Sequence, residues 1–529
     1  MTKADDVLFS VITPVYDTDP LMLRDAIESV LHQTHERWEL CLVDDASTRQ
    51  DTRDVLNHYA HFNDRVRVHY RTVNGGIAAA SNDAMAMAEG DWVALLDHDD
   101  VLHPEALSSL ARALVQDPDT DVFYTDEDKF DRPGHHFDAY RKPAWSPDAL
   151  LEQMYVGHLT AYRRSVVQGV GGFRLGYEGS QDWDLLLRVT ETTDRIRHVA
   201  SVLYHWRSHA ASTAAGGAVK PWAAIAAERA LNDALNRRGM HGHVEYLPDL
   251  QHFRVRRHLE VEPLVSVIIP SAGGSRDIGG RPVRLLDQAL SGLLHRNDYP
   301  NIEVILVLSA HTDPAVEFAA RALVDEVPLT VLHSTGRFDF SRAINRGAAH
   351  ATGDYLLLLN DDVEPITSDW LRSMVEAASA EGVGAVGARL LYGDGRLQHA
   401  GVVHNRGLPF HLHAGQSDGP GYFAEVALTR NYLAVTGACL LTPRVSFEQV
   451  GGLSELFPMN YNDIDYCLKL LAQGQRSVYV GHAVLHHYES SSRDPGVTVQ
   501  EIDAFLRWWR DVTDPDPYLP AARVPLSAP

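Results

Sequence analysis

Apolar and polar positions along this chain fall into a pattern that is written twice. Leu8–Pro14 and Leu264–Pro270 are both β-branched apolar runs closed by proline, the signature of a buried parallel strand that ends at a loop. Each is followed by apolar residues at helical spacing: Leu23, Ile27, Val30 and Leu31 in the first half, Leu285, Leu286, Leu290 and Leu293 in the second. A second strand is predicted at Trp38–Val43 and again at Ile302–Val307. Gly90–Leu96 matches Gly353–Leu359, and both runs end in carboxylates. Gly171-Gly172-Phe173 pairs with Gly451-Gly452-Leu453, each ahead of an acidic cluster. The spacing agrees: Pro14 to Asp99 is 85 residues and Pro270 to Asp362 is 92, while Asp182 to His205 and Asp463 to His486 are both 23.

Strands that alternate with helices predict βα units around a mainly parallel sheet. The expected fold class is therefore α/β, with two domains at 1–215 and 263–490. A helical connector is expected over 216–262, with a helix at Trp222–Arg238, and a C-terminal extension over 491–529 that carries Phe505, Trp508 and Trp509 ahead of a Pro-rich irregular tail.

Composition narrows the class. A length of 529 residues predicts two to four domains, and 45% hydrophobic with 22% charged residues is globular rather than disordered. Forty-seven basic against 71 acidic side chains, a net charge of −24, argues against a nucleic-acid binder, which needs Lys and Arg to neutralise phosphates. Three cysteines, Cys41, Cys439 and Cys467, are too few for a disulfide framework. The start does not read as a signal peptide, and no stretch approaches the roughly 20 apolar residues that span a bilayer. The expectation is a soluble, cytoplasmic protein.

Ligands of open α/β sheets bind beyond the carboxyl ends of the strands, and acidic residues stand there. Asp44 and Asp45 follow the second strand, and Asp97-His98-Asp99-Asp100 follows the fourth. Closely spaced carboxylates repel unless a cation or proton lies between them, and Mg²⁺ or Mn²⁺ is the usual solution; the plainer alternative is an Asp-rich turn that caps the next helix. Gln181-Asp182-Trp183-Asp184 opens a helix, where the macrodipole stabilises a carboxylate that can serve as a general base or simply as a cap. His205 in Leu203–Arg207 is either a metal or phosphate contact or a structural histidine.

Together these elements resemble the inverting family 2 glycosyltransferases, whose nucleotide-sugar domain has the GT-A fold. The resemblance rests on Ser10–Tyr16, Val43-Asp44-Asp45-Ala46-Ser47, Asn74-Gly75-Gly76, Asp97–Asp100 and Gln181–Asp184, in family order. Tyr124–Lys129, Trp145-Ser146-Pro147 and His205-Trp206-Arg207 match a tandem-domain subgroup from bacterial surface-polysaccharide (O-antigen-like) clusters. So do Phe338–Ser341, Asn360-Asp361-Asp362, Gln398–Val403, Thr436–Cys439 and Asn462–Cys467 in the second half. The resemblance implies two GT-A domains and metal-dependent transfer, with inversion, from a nucleotide sugar, UDP-linked by family default, to a glycan or lipid-linked acceptor at the inner face of the membrane. It implies that Thr13, Pro14, Tyr16, Asp44, Asp45, Asn74, Gly75 and Asp97 surround the nucleotide sugar. Asp99 and His205 would hold Mn²⁺ or Mg²⁺, and Asp182 would deprotonate the acceptor hydroxyl.

In the second half Asp362 aligns with Asp99, Asp463 with Asp182, and His486 with His205, with His487 as a close competitor. Asp362 and His486 are thus its expected metal ligands and Asp463 its expected base. Both carboxylates of the nucleotide-side turn are replaced, however, by Leu308 and Ser309, and Ile269-Pro270-Ser271-Ala272 replaces the Thr and Tyr positions. Three readings stay open: donor binding by other contacts, acceptor binding, or a degenerate scaffold beside one active domain. Gly382–Gly387 spells G-x-G-x-x-G, yet it follows a helical pattern and leads into a strand, the reverse of a dinucleotide site. His399, His404, His411 and His413 match no zinc spacing.

Overall fold

Strand Phe9–Val15 (β1) is buried along almost its whole length, as an apolar run at the centre of a two-faced sheet must be. In the computed structural model, which describes residues 6–208, 221–278, 280–488 and 496–519, β1 pairs in parallel with Trp38–Asp44 (β2) on one side and Trp92–Leu95 (β4) on the other. Val66–Tyr70 (β3) extends the sheet beyond β2. Val101–Leu102 (β5), Val122–Arg132 (β6), His135–Tyr140 (β7), Thr160–Arg163 (β8) and Ile196–Arg207 (β9) complete it. The order is β3-β2-β1-β4-β8-β6-β9-β5, with β7 paired to β6. Core residues such as Val11, Leu40, Leu42 and Leu107 are fully buried, each worth about 1.5–3 kcal/mol of transfer free energy.

The chain divides into two compact units, Met1–Val255 and Arg256–Pro529. In the second the order recurs strand for strand: Leu329–His333, Ile302–Leu308, Val265–Ser271, Tyr355–Leu359, Cys439–Pro443, Val383–Leu391, Arg476–His487, Val363–Pro365. The α/β class expected from the pattern is thus present in two copies. The expected domain boundaries near 215 and 490 lie outside the described residues, as does the Pro-rich end beyond Leu519. Helix Pro221–Arg237 packs within the first unit, where Ser180 Oγ donates to the Ala223 carbonyl at 2.9 Å and Arg237 pairs with Glu191 at 2.8 Å. Helix Val499–Thr513 packs within the second, with Phe505 fully buried.

The repeat extends to buried polar networks. Ser10 Oγ donates to Glu39 Oε1 at 2.6 Å and accepts the Gly90 N–H at 2.9 Å; Ser266 does the same with Glu303 and Gly353 at 2.6 and 2.9 Å. A Cβ at Gly90 would lie 2.5 Å from the Leu8 carbonyl oxygen, and one at Gly353 would lie 2.5 Å from that of Leu264, so both positions require glycine. Gly382 immediately precedes strand Val383–Leu391, which contains Gly384 and Gly387; the run therefore opens no helix and makes no dinucleotide loop. Cys41, Cys439 and Cys467 are buried free thiols. Among the described residues no helix is long and apolar enough to cross a membrane.

Candidate active site

The first unit holds a cavity of about 270 Å³ lined by Pro14, Asp97, His158, Gln181, Asp182 and Trp206, among others. Asp97 comes from the loop after β4 and Asp182 from the second position of helix Gln181–Val189. Two carboxylates distant in sequence thus face one space. Burial raises the Asp182 carboxyl above the ordinary range, with the Asp97 charge adding to it, while His158 and the Trp183 N–H pull it down. A carboxyl raised in this way is a stronger proton acceptor once ionised, as a general base should be. Asp184, two residues on, is different: fully buried, it is ion-paired to Arg174 and, at 2.8 Å, to Arg188, whose Nη2 also donates to the Gly172 carbonyl at 2.7 Å. Asp184 clamps the helix and Asp182 faces the cavity.

The acidic turn after β4 is electrostatically strained. Asp100 is buried and accepts the Tyr204 hydroxyl at 2.6 Å and the Arg207 N–H at 2.7 Å, and burial followed by Asp97 and Asp99 pushes its carboxyl well up. Asp99 lies 3.7 Å from His98, and its carbonyl accepts Arg207 Nε at 2.6 Å. His205 Nδ1 is 2.6 Å from Asp128 Oδ1, and His136 Nδ1 is 3.2 Å from both Asp128 oxygens. Ligand atoms of Asp128, His136 and His205 lie within 4.8 Å of one another, a set that could hold a divalent ion; Asp99 is not in that set. Crowded carboxylates at the turn, and this nitrogen–oxygen donor set beside it, both suit a divalent cation.

The other expected nucleotide-side residues gather next to the cavity rather than on its wall. Asp45 is buried and accepts the Gly75 and Gly76 N–H groups at 2.9 and 2.7 Å, with Arg71 at 3.5 Å. It therefore shapes the Asn74-Gly75-Gly76 loop, in which Asn74 Oδ1 also accepts from Gly76 at 3.2 Å. Gly76 sits at φ +83°, where a side chain is strained. Asp44 pairs with Arg53 at 3.1 Å and accepts the Ser47 N–H at 3.2 Å. Thr13 is buried with no hydrogen-bond partner for its hydroxyl among the described residues, and Tyr16 is 45% exposed.

In the second unit a cavity of about 280 Å³ is lined by Asn360, His411, Gly437, Tyr461, Asp463 and His487, among others. Asp463 is again second in its helix, Asn462–Ala472, and its Oδ2 accepts the Gly437 N–H at 2.7 Å. Asp465 repeats the buried clamp, paired with Lys469 at 3.2 Å, and Lys469 donates to the Gly452 carbonyl at 2.8 Å, as Arg188 does to Gly172. His486 holds the register position of His205, the alignment that the sequence predicts. His487 Nε2 is 3.1 Å from Asp362 Oδ1, whereas His486 Nδ1 faces the Tyr392 carbonyl at 3.1 Å. Successive side chains of a strand point to opposite faces, so of two adjacent histidines only one reaches the acidic turn. His487 occupies the register position of Trp206. The register also places Leu308 at Asp44 and Ser309 at Asp45, so both nucleotide-side carboxylates are absent there. A larger cleft, about 940 Å³, is lined by Pro270, Ala272, Arg337, Arg342, Asp361 and Glu501, among others.

His158 lines the cavity beside Asp97, a place that sequence reasoning did not give it. A single histidine between Gly157 and Leu159 matches no motif, and nothing in its spacing marks it. His399 is buried with its Nδ1 2.8 Å from that of His411, and burial holds its imidazole well below the ordinary value.

The same α/β sheet recurs in both units, and in each a carboxylate at a helix start lines a cavity, Asp182 with Asp97 in the first and Asp463 with Asn360 in the second. The sequence pattern of Glycosyl transferase family 2 matches residues 10–171 and 266–451, and the chain belongs to that family. Over 96% of its length it is 40% identical to the "Uncharacterized protein y4gI" of Sinorhizobium fredii, covering 57% of that protein. Over 95% it is 38% identical to the "O-antigen biosynthesis protein RfbC" of Myxococcus xanthus, covering 39%. The chain thus spans about half the length of these relatives. A solved structure of S. aureus TarS with UDP-GlcNAc is similar over 44% of this chain and 72% of its own, at 20% identity and TM-score 0.35. The two matched stretches fall one in each unit, in agreement with the expected tandem GT-A architecture.

Proposed function

We propose that the first unit is a metal-dependent, inverting transferase that moves a sugar from a nucleotide donor to a growing bacterial surface glycan. The observation that carries this reading is the convergence of Asp97 and Asp182 on one cavity. Asp182 takes the proton of the acceptor hydroxyl as that oxygen attacks the anomeric carbon. Asp97, with the loop that Asp45 organises, orients the donor's sugar and ribose. With Asp182 on one face of the bound sugar and the diphosphate on the other, attack and departure occur on opposite faces, which inverts the anomeric centre. Asp99 and His205 would hold Mn²⁺ or Mg²⁺, with Asp128 and His136 as further donors at His205. When bound, such an ion neutralises charge on the departing nucleoside diphosphate. The acceptor is a glycan or lipid-linked saccharide presented at the cytoplasmic face of the inner membrane.

The second unit is read as a second donor centre with different contacts, because it keeps Asp463 on a cavity of nearly the same size and adds a large cleft with two arginines. The test is a screen of nucleotide sugars with Mn²⁺ or Mg²⁺, scored by nucleoside diphosphate release. Release by the wild type that Asp182→Asn abolishes supports the first centre; release untouched by Asp182→Asn refutes it. Loss of a different donor's turnover in Asp463→Asn marks two centres. Loss of none marks the second unit as acceptor-binding or scaffold.

A further inference from the structure

Beside the Asp97–Asp182 cavity lies a column of charge that the transfer reading leaves without a task. Lys142 is fully buried, 3.0 Å from Glu127 Oε2, and donates to the carbonyls of Val156 and His158. Glu127 Oε2 accepts the His158 N–H at 2.7 Å and faces the His158 Nδ1 at 3.4 Å. His158 Nε2 lies 3.8 Å from Asp97, and its ring is stacked on Tyr204 at 4.6 Å between centroids. Positive and negative groups therefore alternate from Lys142 through Glu127 and His158 to Asp97, and the last two line the cavity.

The second unit shows that the fold does not need this column. The strand registers place Ala438 at the position of His158, Leu390 at Glu127 and Asn360 at Asp97. All three charges are exchanged together for neutral residues, while the sheet order, the helix clamp and the base position persist. Asn360 is neutral and meets the His487 imidazole at 3.2 Å as an amide partner, whereas Asp97 brings a negative charge to the cavity, which a neighbouring cation stabilises.

We propose that His158 is a positioning residue of the first unit: a half-buried cation, anchored by Glu127 and by Lys142 behind it, that fixes the Asp97 carboxylate and keeps Asp182 ionised at the cavity wall. This rests on the transfer reading above. Burial opposes the charged ring, but Glu127, Asp97 and Asp100 outweigh it and raise His158 to about 9, so it carries its proton at neutral pH. The charged and titratable groups facing it are Glu127, Lys142, Asp97, Asp100, Asp182 and Tyr204.

The experiment is an NMR titration of the full chain, carrying ¹³C-carboxyl aspartate and ¹⁵N-histidine, paired with the pH profile of nucleoside diphosphate release. Asp182→Asn assigns the Asp182 signal. In His158→Gln the Asp182 midpoint should move up by about one pH unit. Its kcat should fall on the acid limb of the profile, by up to about tenfold, and recover as the pH rises, and His158→Lys should restore the wild-type acid limb. In Glu127→Gln the His158 titration should drop from about 9 toward 6.5, a readout that stands even if His158→Gln does not fold. An unmoved Asp182 midpoint, a uniform loss of rate at every pH, or a wild-type His158 that titrates near 6.5 overturns the proposal. If no nucleotide sugar is turned over, the transfer reading fails, while the two titrations still decide the electrostatic role of His158.

Discussion

The two units share a frame and differ in their charges. Both keep the sheet order, the Ser–Glu–Gly network under the first strand, the buried aspartate clamp and a carboxylate at the second position of the helix beside the cavity. The first unit has Asp44, Asp45, Asp97 and the His158 column; the second has Leu308, Ser309, Asn360 and Ala438. An imidazole stands beside the acidic turn in both, but it comes from the loop before β8 in the first (His158) and from the last strand in the second (His487). The networks under the first strand and at the helix clamp are common to both units, while the charged groups at the strand ends differ. That division is the reason to look for two donor specificities rather than one activity made twice.

The sharpest break of this comparison is at the bases. Asp182→Asn should lower turnover of the first unit's donor by about 10²–10⁴-fold, and Asp463→Asn should remove a different turnover, both read as nucleoside diphosphate release. A common loss in both variants would merge the two centres into one. Next come the clamps. Asp184→Ala leaves Arg174 and Arg188 without their buried partner and should destabilise the first unit by about 3–5 kcal/mol. Asp465→Ala should affect the second unit less, because its partner Lys469 is 26% exposed; chemical denaturation with a probe in each unit measures both. Gly90→Ala and Gly353→Ala should each cost about 1–3 kcal/mol, and nearly the same amount, because each Cβ meets a backbone carbonyl at the same distance. Unequal losses would show that the shared frame is less equivalent than its geometry.

A further difference between the units is in pH. Folding raises His158 from 6.5 to about 9, so its contribution to stability is complete below about pH 6.5 and is lost as the pH rises through 9. The first unit should therefore soften across that window, and His158→Gln should flatten the response. The second unit has Ala438 at that position, so this response belongs to the first unit.

Much of this was open to sequence reasoning, and the residues show why. Apolar runs closed by proline, glycines before matching strands and equal spacings from Asp to His report the sheet directly, because burial on both faces leaves an unbroken apolar signature. Asp97 and Asp182 could be singled out because acidic residues at a strand end and a helix start need a reason to be there. His487 could not be separated from His486: neighbours in sequence face opposite sides of a strand, and only the register says which side meets Asp362. His158 gave no signal, since its importance lies in Glu127 and Lys142, which reach it only in the folded chain. Asp45 was expected beside the nucleotide, and in the structure its carboxylate is occupied with the Gly75 and Gly76 amides, a task that spacing alone does not reveal.

The most direct measurement is a crystal structure of the full chain with Mn²⁺ and a non-reactive analogue of whichever nucleotide sugar the screen identifies. The sugar ring should lie in the first unit's cavity with its anomeric carbon between Asp182 on one side and the diphosphate on the other. A sugar bound elsewhere, or one with Asp182 and the diphosphate on the same face, would contradict the account.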